Sequence, residues 1–225
     1  MDENRKSKTF CEFRLLEGEM KKDEETGITI PVSNSGDVVT VELNKITTID
    51  IDYDDGETIV KTVCNRHPIK VDMTFDEAVD EYNRATDKVK GCVFYRSRTE
   101  SDGTVKYTPI MLPNARIKTI DISYSDGETV LIKTDDGRVA VAESFDEAVE
   151  EFNRVSEWTR GCVFTRDKNG KSVMVPSSRI KQNGIRESKV DGSTIVYTAD
   201  GKLVVNETVE EAIDIYERAV CGKSR

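Results

Sequence analysis

The amino-acid sequence predicts an α+β protein made of three tandem copies of one small module, in which an antiparallel sheet of four or five strands with hairpins is followed by one α-helix. Two long matches within the chain predict this architecture. Segments 46–59 and 117–130 align almost without gaps, and the run Phe-Asp-Glu-Ala-Val recurs at 75–79 and 145–149. A more diverged copy follows at 194–218. Similarity at a fixed spacing indicates a chain built from repeated structural units.

A Cys-x-Phe motif sets the boundaries of the copies. It begins at Cys11, Cys92 and Cys162, and cutting just before each motif yields whole units. The predicted domains are an N-terminal tail at 1–9 and repeat units at 10–90, 91–160 and 161–225. A unit of this size is marginally stable by itself, and the junctions leave no flexible linker. We therefore expect the units to pack against one another.

Each unit ends in a helix whose start can be recognised. A Ser or Thr followed three residues later by Glu forms a capping box, in which the two side chains satisfy backbone amides at the helix N-terminus. The three boxes are Thr74–Glu77, Ser144–Glu147 and Thr208–Glu211. Behind each box, apolar residues recur at intervals of three and four, which places one apolar stripe on the helix. Glycines follow where helices commonly end, so we expect helix termination at Gly91, Gly161 and Gly222.

Upstream of each helix the apolar period changes to two, as it does in half-buried strands. In the first copy, the alternating apolar and acidic residues are Ile49, Asp50, Ile51, Asp52, Tyr53 and Asp54. Eight of the 14 glycines follow Asp or Asn, which is the strongest short-range signal for a hairpin turn. A hairpin also opens each unit, with 92–96 returning through 107–112 and 162–166 returning through 172–175.

The composition excludes several functional classes. The 225 residues include 43 acidic and 33 basic side chains, a formal charge of −10. Nucleic-acid binding relies on Lys and Arg displacing counterions from phosphates, so we expect no nucleic-acid partner and no binding to an anionic membrane. No apolar run approaches the roughly 20 residues that span a bilayer, and the N-terminus lacks a signal-peptide pattern. We expect a protein that is not secreted and acts in the cytoplasm or inside an assembled particle.

The chain carries few of the side chains that catalysis and metal binding use. Its five cysteines are widely spaced and include no Cys-x-x-Cys pair, so we predict neither a disulfide framework nor a zinc site. Three of them recur beside an aromatic residue, which favours buried core thiols over reactive ones. The single histidine, His67, falls in a predicted turn, and common nucleotide-binding and hydrolase motifs are absent. We predict no cofactor, no metal site and no catalytic residue.

Three groups of residues are candidate contacts for a partner. Asp50, Asp52 and Asp54 place three carboxylates on one predicted strand face; their spacing to the following Gly does not match a calcium loop, so we expect a solvated acidic face. An insertion at 17–26 lengthens the first hairpin with a charged loop. Its candidate contact residues are Glu17, Glu19, Lys21, Lys22, Asp23 and Glu24. Trp158, the single tryptophan, lies off the apolar stripe of its helix, so we expect it to contact a neighbouring unit or a partner protein.

These observations favour a non-enzymatic structural or protein-interaction protein, because the recurring residues are those of caps, turns and core stripes. Its modules would present a repeated surface to a protein partner or a larger assembly. A second hypothesis is an acidic decoy or inhibitor of a basic or nucleic-acid-binding partner, of the viral counter-defence type. A third is an enzyme with a carboxylate-based site between units.

Overall fold

The computed structural model describes residues 10–16, 20–22, 29–31, 36–63, 67–86, 90–156, 159–166 and 170–221. Within these residues the protein is α+β, with three α-helices, fifteen strands in four antiparallel sheets and one further short two-stranded ribbon. The predicted fold class is confirmed at this level. The chain divides into two compact units: the first runs to Val93 and includes Thr108–Pro113, and the second comprises Phe94–Tyr107 and the chain from Asn114 onward.

The elements have the following bounds. The helices are α1 (Phe75–Ala85), α2 (Phe145–Val155) and α3 (Val209–Cys221). The strands are β1 (Phe10–Arg14), β2 (Met20–Lys22), β3 (Thr29–Pro31), β4 (Val38–Glu42), β5 (Ile46–Ile51), β6 (Thr58–Thr62), β7 (Ile69–Val71), β8 (Gly91–Thr99), β9 (Val105–Pro113), β10 (Ile117–Ile122), β11 (Val130–Thr134), β12 (Arg138–Val141), β13 (Gly161–Thr165), β14 (Ser172–Pro176), β15 (Ile180–Glu187), β16 (Thr194–Thr198) and β17 (Gly201–Val205). Short 3-10 turns lie at Leu43–Lys45, Asn114–Arg116 and Ser177–Arg179.

The sheets join strands that are distant in the sequence. β1 pairs with β4 and β2 with β3 as two-stranded ribbons. The first five-stranded sheet has the order β7-β6-β5-β9-β8, and the second has the order β12-β11-β10-β14-β13. β15, β16 and β17 form a three-stranded sheet. In each five-stranded sheet, the hairpin that follows the helix (β8–β9 or β13–β14) therefore completes the three strands that precede the helix.

One order of elements occurs three times in the described chain. A strand, a 3-10 turn, three strands and a helix follow one another from β4, from β9 and from β14. β5 and β10 have a short register shift near their starts, and the last set departs from the other two because the shift in β15 is longer, between Ile180 and Ile185. Asn183 in this bulge has a φ of 56°, a left-handed conformation that Asn tolerates better than most residues. β-bulges of this kind bend a strand and are common at sheet edges.

The capping boxes predicted from the sequence are present. The Thr74 hydroxyl accepts a hydrogen bond from the Glu77 amide, and Glu77 Oε2 accepts one from the Thr74 amide at 2.8 Å. Ser144 with Glu147, and Thr208 with Glu211, make the same reciprocal pair. Each cap is worth about 1 kcal/mol, so these short helices start at fixed positions.

None of the helices in the described part of the chain is both long and apolar enough to cross a membrane.

Gly91 and Gly161 do not end helices, contrary to the sequence prediction. Both helices end before them, and the two glycines begin β8 and β13. A Cβ built on Gly91 would lie 2.5 Å from Cγ of Met111, and one on Gly161 would lie 2.6 Å from Cγ of Met174. The missing side chain therefore makes room for a buried methionine on the paired strand. Gly222 lies outside the described residues.

In the first unit, the core lies between α1, the β1–β4 ribbon and one face of the five-stranded sheet. Cys11 and Phe13 of β1 share a hydrophobic cluster with Ala78 and Tyr82 of α1. Met111 of β9 belongs to the same cluster and is 0% exposed. Full burial of a large apolar side chain stabilises a fold by about 1.5–3 kcal/mol, so the ribbon and the hairpin strand both hold the helix in place.

In the second unit, the β13–β14 hairpin has two buried faces. On one face, Cys162 shares a hydrophobic cluster with Ala212 of α3. On the other face, Met174 is 0% exposed and opposes Ile120 of β10. The amide of the first hairpin residue donates to Asn153 Oδ1 of α2 at 2.8 Å. The hairpin is therefore one layer shared by the α2 and α3 cores.

Candidate functional site

The three recurring cysteines are core residues. Cys11, Cys92 and Cys162 are each 0% exposed. Burial raises the pKa of Cys11 and of Cys162 to about 12, and the negative charge of Glu81 contributes at Cys11. Because the thiolate is the nucleophile, the raised pKa makes Cys11 and Cys162 poor nucleophiles at neutral pH. The expectation of core thiols is confirmed for them; Cys64 lies outside the described residues.

Asp50 is buried, which corrects the expectation that it lies on a solvated acidic face. The residue is 1% exposed, and Lys61 Nζ lies 3.0 Å from its Oδ2. It opposes Ile59 of β6 and Ile110 of β9, which are 4% and 2% exposed. β5 is thus a central strand whose second face is enclosed as well, and Asp50 is not a surface contact for a partner.

Asp121 occupies the same place in β10 and is the centre of a buried ion cluster. Lys133 Nζ lies 2.7 Å from Asp121 Oδ2, and the Arg166 guanidinium binds Oδ1, with Nε at 3.2 Å. Burial alone would raise the pKa of Asp121, but hydrogen bonds from Lys133 and Arg166 and their positive charges lower it by more, so the pKa lies below the ordinary aspartate value. The carboxylate therefore holds two cations in place and is not a proton donor.

Asp52 and Asp54 lie in a turn, because β5 ends at Ile51. Asp52 is half-buried and its Oδ1 accepts a hydrogen bond from the Asp54 amide at 2.9 Å, whereas Asp54 is exposed. The three carboxylates of the predicted acidic face therefore do not share one face. His67 is exposed in a bend before β7, which agrees with the expected turn.

The remaining candidate contacts have no described side chains. Glu17, Glu19, Asp23, Glu24 and Trp158 lie outside the described residues. Lys21 and Lys22 lie in β2, which pairs with β3 across the inserted segment. Their proposed role as partner contacts stays a prediction.

An open acidic cleft of about 370 Å³ lies in the first unit between α1 and the β1–β4 ribbon. Five carboxylates and two arginines are among its lining residues. Glu77 is engaged in the capping box, and hydrogen bonds from Thr74 lower the pKa of Glu77. Glu81 accepts from the Glu12 amide at 3.2 Å and binds Arg84 Nη1 at 2.9 Å. Glu77 is thus held as a helix cap and Glu81 as a partner of the Glu12 amide and Arg84, so both glutamates have structural roles in the cleft.

Two sets of polar side chains that the sequence pattern did not reveal bind the hairpins: asparagines of α1 and α2, and glutamates of the turns that precede α2 and α3. Asn83 Oδ1 accepts from the Gly91 amide at 2.8 Å, just as Asn153 does in the second helix. Glu143 Oε1 accepts from the Tyr95 amide, and Glu207 Oε1 from the Thr165 amide, both at 2.7 Å. The sequence signal for the two asparagines was the Asn-Arg pair, which recurs at the same place in the patterns of α1 and α2.

Among the described residues, no cluster of three or more His, Cys, Asp or Glu side chains has an arrangement that would hold a metal ion.

Within the part of the chain that the structure describes, the clearest surface without a packing partner lies at the end of α3. We name it the C-terminal end surface and define it by the outer edge of β15 and by Ile213, Tyr216 and Val220 of α3. Ile213 is 38% and Val220 52% exposed, and Tyr216 is half-buried. The apolar stripes of the other helices are covered at the matching places, where Val79 is 8% and Val149 is 9% exposed. Apolar side chains grouped in this way mark interaction sites more often than scattered ones do.

No protein-family model, curated protein or solved structure matches the chain.

Proposed function

We propose that the chain is a non-enzymatic structural or protein-interaction protein built from three copies of one α+β module, which presents its surface to a protein partner or a larger assembly. The proposed modules are those at 10–90, 91–160 and 161–225. The recurring order of elements supports this division. So do the two clusters in which Cys11 and Cys162 pack with Ala78 and Ala212, the matching residues of their own helices.

The C-terminal end surface is the observation that carries the proposal. In α1 and α2 the apolar stripe is covered, while in α3 the same stripe leaves Ile213 and Val220 open to solvent. An exposed apolar stripe beside an unpaired strand edge is costly for a protein that acts alone, because both features favour association. A partner that covers them removes apolar area from water and satisfies the backbone groups of the edge.

The polar residues that recur in the described chain support a structural role over catalysis. The capping glutamates, Asp121 and the hairpin-binding Asn153 are each engaged in hydrogen bonds or ion pairs that hold the fold. Cys11 and Cys162 have a raised pKa that keeps them protonated at neutral pH. A carboxylate-based enzyme needs carboxyl groups left available for proton transfer. The capping glutamates and Asp121 instead bind groups of the fold itself.

The acidic cleft favours the decoy or inhibitor of a basic partner as a second candidate function. Asp72 and Asp80 line the cleft and are exposed, so a basic peptide segment has carboxylates to bind. Binding of this kind weakens steeply with salt, because exposed charges are screened within about 10 Å at 0.1 M. A partner whose affinity is unchanged between low and high salt would exclude the decoy reading.

We further propose that the protein acts in a reducing compartment, in the cytoplasm or inside an assembled particle. The four described cysteines form no disulfide bond, and three of them are buried. Reduced thiols are the ordinary state of cytosolic proteins.

Recovery of the native complex from the source cell or particle tests the proposal. The chain is captured with its partners after mild crosslinking, and the partners are identified by mass. Ile213→Asp should reduce recovery of the partner, whereas Val190→Asp, at a turn residue that is 96% exposed, should leave it unchanged. Recovery of the free monomer alone from wild-type cells would contradict the proposal.

A further inference from the structure

The two five-stranded sheets show what covers the end of a module. In the first, Ile49 and Asp50 of β5 oppose residues of β9, and in the second, Ile120 and Asp121 of β10 oppose residues of β14. Both sheets are therefore completed by a hairpin through two cross-strand residue pairs. β15 is the corresponding strand of the third sheet, and its outer edge pairs with no strand in the described part of the chain.

The exposure of α3 agrees with the uncovered edge of β15 in the described residues. Met111 of the first covering hairpin belongs to the same buried cluster as Val79 and Tyr82 of α1. Tyr82 is 1% exposed, whereas Tyr216 at the matching place in α3 is half-buried. Within the described residues, the third module thus has the helix and the three strands, and no hairpin covers them.

A hairpin of the required kind stands at the other end of the chain. β1 and β4 form a two-stranded ribbon, and the outer edge of β4 pairs with no strand among the described residues. Thr40 of β4 precedes its 3-10 turn by three residues, as Met111 and Met174 precede theirs. Thr40 is therefore the residue that would oppose Ile185 of β15, the counterpart of Ile120.

On the outward face of this ribbon, the large and the small side chain have exchanged places relative to the internal hairpins. In the internal hairpins a small Gly161 accommodates a large Met174. In the ribbon a large Phe10 takes the place of the glycine and a small Thr40 takes the place of the methionine. Phe10 is 44% exposed and Thr40 is exposed, so the ribbon offers an apolar ring where the internal hairpins bury a thioether.

We propose that the occupant of the C-terminal end surface is the β1–β4 ribbon of a second copy of this chain, joined head to tail through β4 and β15. This inference rests on the proposed function, since it names the partner that covers the surface. The bulge at Asn183 leaves Ile185 and Arg186 available, and two residue pairs are what the internal junctions use. In that register Glu42 opposes Asn183, and Lys181 lies two residues further along β15; Glu42 and Lys181 are exposed and carry opposite charges.

A polar contact supports the same arrangement. Asn83 and Asn153, the ninth residues of α1 and α2, accept hydrogen bonds from Gly91 and Gly161, the first residues of the covering hairpins. The ninth residue of α3 is Glu217, whose carboxylate is also an acceptor and is exposed. In the head-to-tail contact it accepts from the Phe10 amide of the second copy. Because the two joined surfaces differ, the contact is heterologous and produces chains or rings of molecules.

The test is the mass of the full-length protein in solution, measured by light scattering and sedimentation from about 1 μM to about 1 mM, the range of moderate protein affinities. The wild type should grow beyond a dimer as concentration rises. Phe10→Asp blocks the head and Ile213→Asp blocks the tail, so each variant alone should associate roughly tenfold or more weakly. Val190→Asp, which changes an exposed apolar residue elsewhere, should behave as the wild type does.

Mixing the two blocked variants separates head-to-tail contact from other modes. Phe10→Asp keeps an intact tail and Ile213→Asp keeps an intact head, so an equimolar mixture should form a heterodimer that stops there. A mixture that stays monomeric while the wild type associates would overturn the proposal, as would a wild type that is monomeric throughout. If that monomer still captures another protein through Ile213, the second copy is excluded while the proposed function stands; if it captures none, both fail.

Discussion

Replacement of Asp121 by Asn should destabilise the protein by about 3 kcal/mol at pH 7. The side chain of Asp121 is 3% exposed, and those of Lys133 and Arg166 are 29% and 18% exposed. Each hydrogen bond to a charged group contributes about 1.5–3 kcal/mol. Loss of one partner of a fully buried pair costs about 3–5 kcal/mol, and the value expected here lies at the low end because both cations retain some contact with water.

The assay is urea unfolding followed by circular dichroism, with hydrogen exchange of β10 amides to locate the loss. Asp136→Asn is the matched control. Its carboxylate pairs with Arg116 at 2.9 Å but its side chain is 40% exposed, so a change of about 0–1 kcal/mol is expected. If the Asp121 variant were no less stable than this control, the reasoning about the buried ion cluster would be refuted.

The same variant has a defined pH dependence. The pKa of Asp121 is lower in the folded protein than in the unfolded chain. Its carboxylate therefore contributes stability above the unfolded pKa of about 4, and this contribution is lost as pH falls through the folded pKa. The difference in unfolding free energy between wild type and Asp121→Asn should accordingly be full at pH 7 and shrink below about pH 4. A difference that stayed constant down to pH 2 would contradict this linkage.

Three further outcomes are expected. Gly161→Ala should destabilise by about 1–3 kcal/mol because its Cβ meets the buried Met174 side chain, and adding Met174→Val should recover part of the loss in urea unfolding; no recovery would place the strain elsewhere. In native protein, peptide-resolved alkylation should label the exposed Cys221 rapidly and Cys162 only after unfolding, and equal rates would contradict the burial. Burial, with the charges of two neighbouring glutamates, raises the pKa of Glu143, so its contribution to stability is present below the unfolded pKa and is lost as pH rises through the folded pKa. The stability of wild type relative to Glu143→Gln should therefore be greatest near pH 4 and fall toward pH 7, and the opposite trend would refute the assignment.

The local features of the fold were predictable because their physical causes lie close together in the sequence. A capping box needs a hydroxyl and a carboxylate three residues apart, and Ser144 with Glu147 shows both partners at once. The Asp126-Gly127 turn is also local, since Gly127 has a φ of 76° and the Asp126 carboxylate accepts the amides that follow it.

The buried polar groups were not predictable, because their environment is set by residues that are distant in sequence. Asp121 follows the alternation of a half-exposed strand, yet its cation Arg166 lies 45 residues further on. Gly161 follows a helix and therefore has the pattern of a helix terminator, while its actual role depends on Met174 of the paired strand. The exposure of Ile213 depends on what packs against α3 from other parts of the fold, and the helical pattern does not contain that information.

The two buried faces of the β13–β14 hairpin decide where this chain tolerates truncation. A fragment that stops at Arg160 ends at the boundary of the sequence repeat. It lacks β13 and β14, which belong to the sheet of β10, β11 and β12, and it lacks Arg166, which pairs with Asp121. A fragment that stops at Pro176 keeps that sheet whole and loses the third helix instead. Stable expressed fragments and protease-resistant fragments should therefore end at the end of the hairpin and not at the Cys-x-Phe motif.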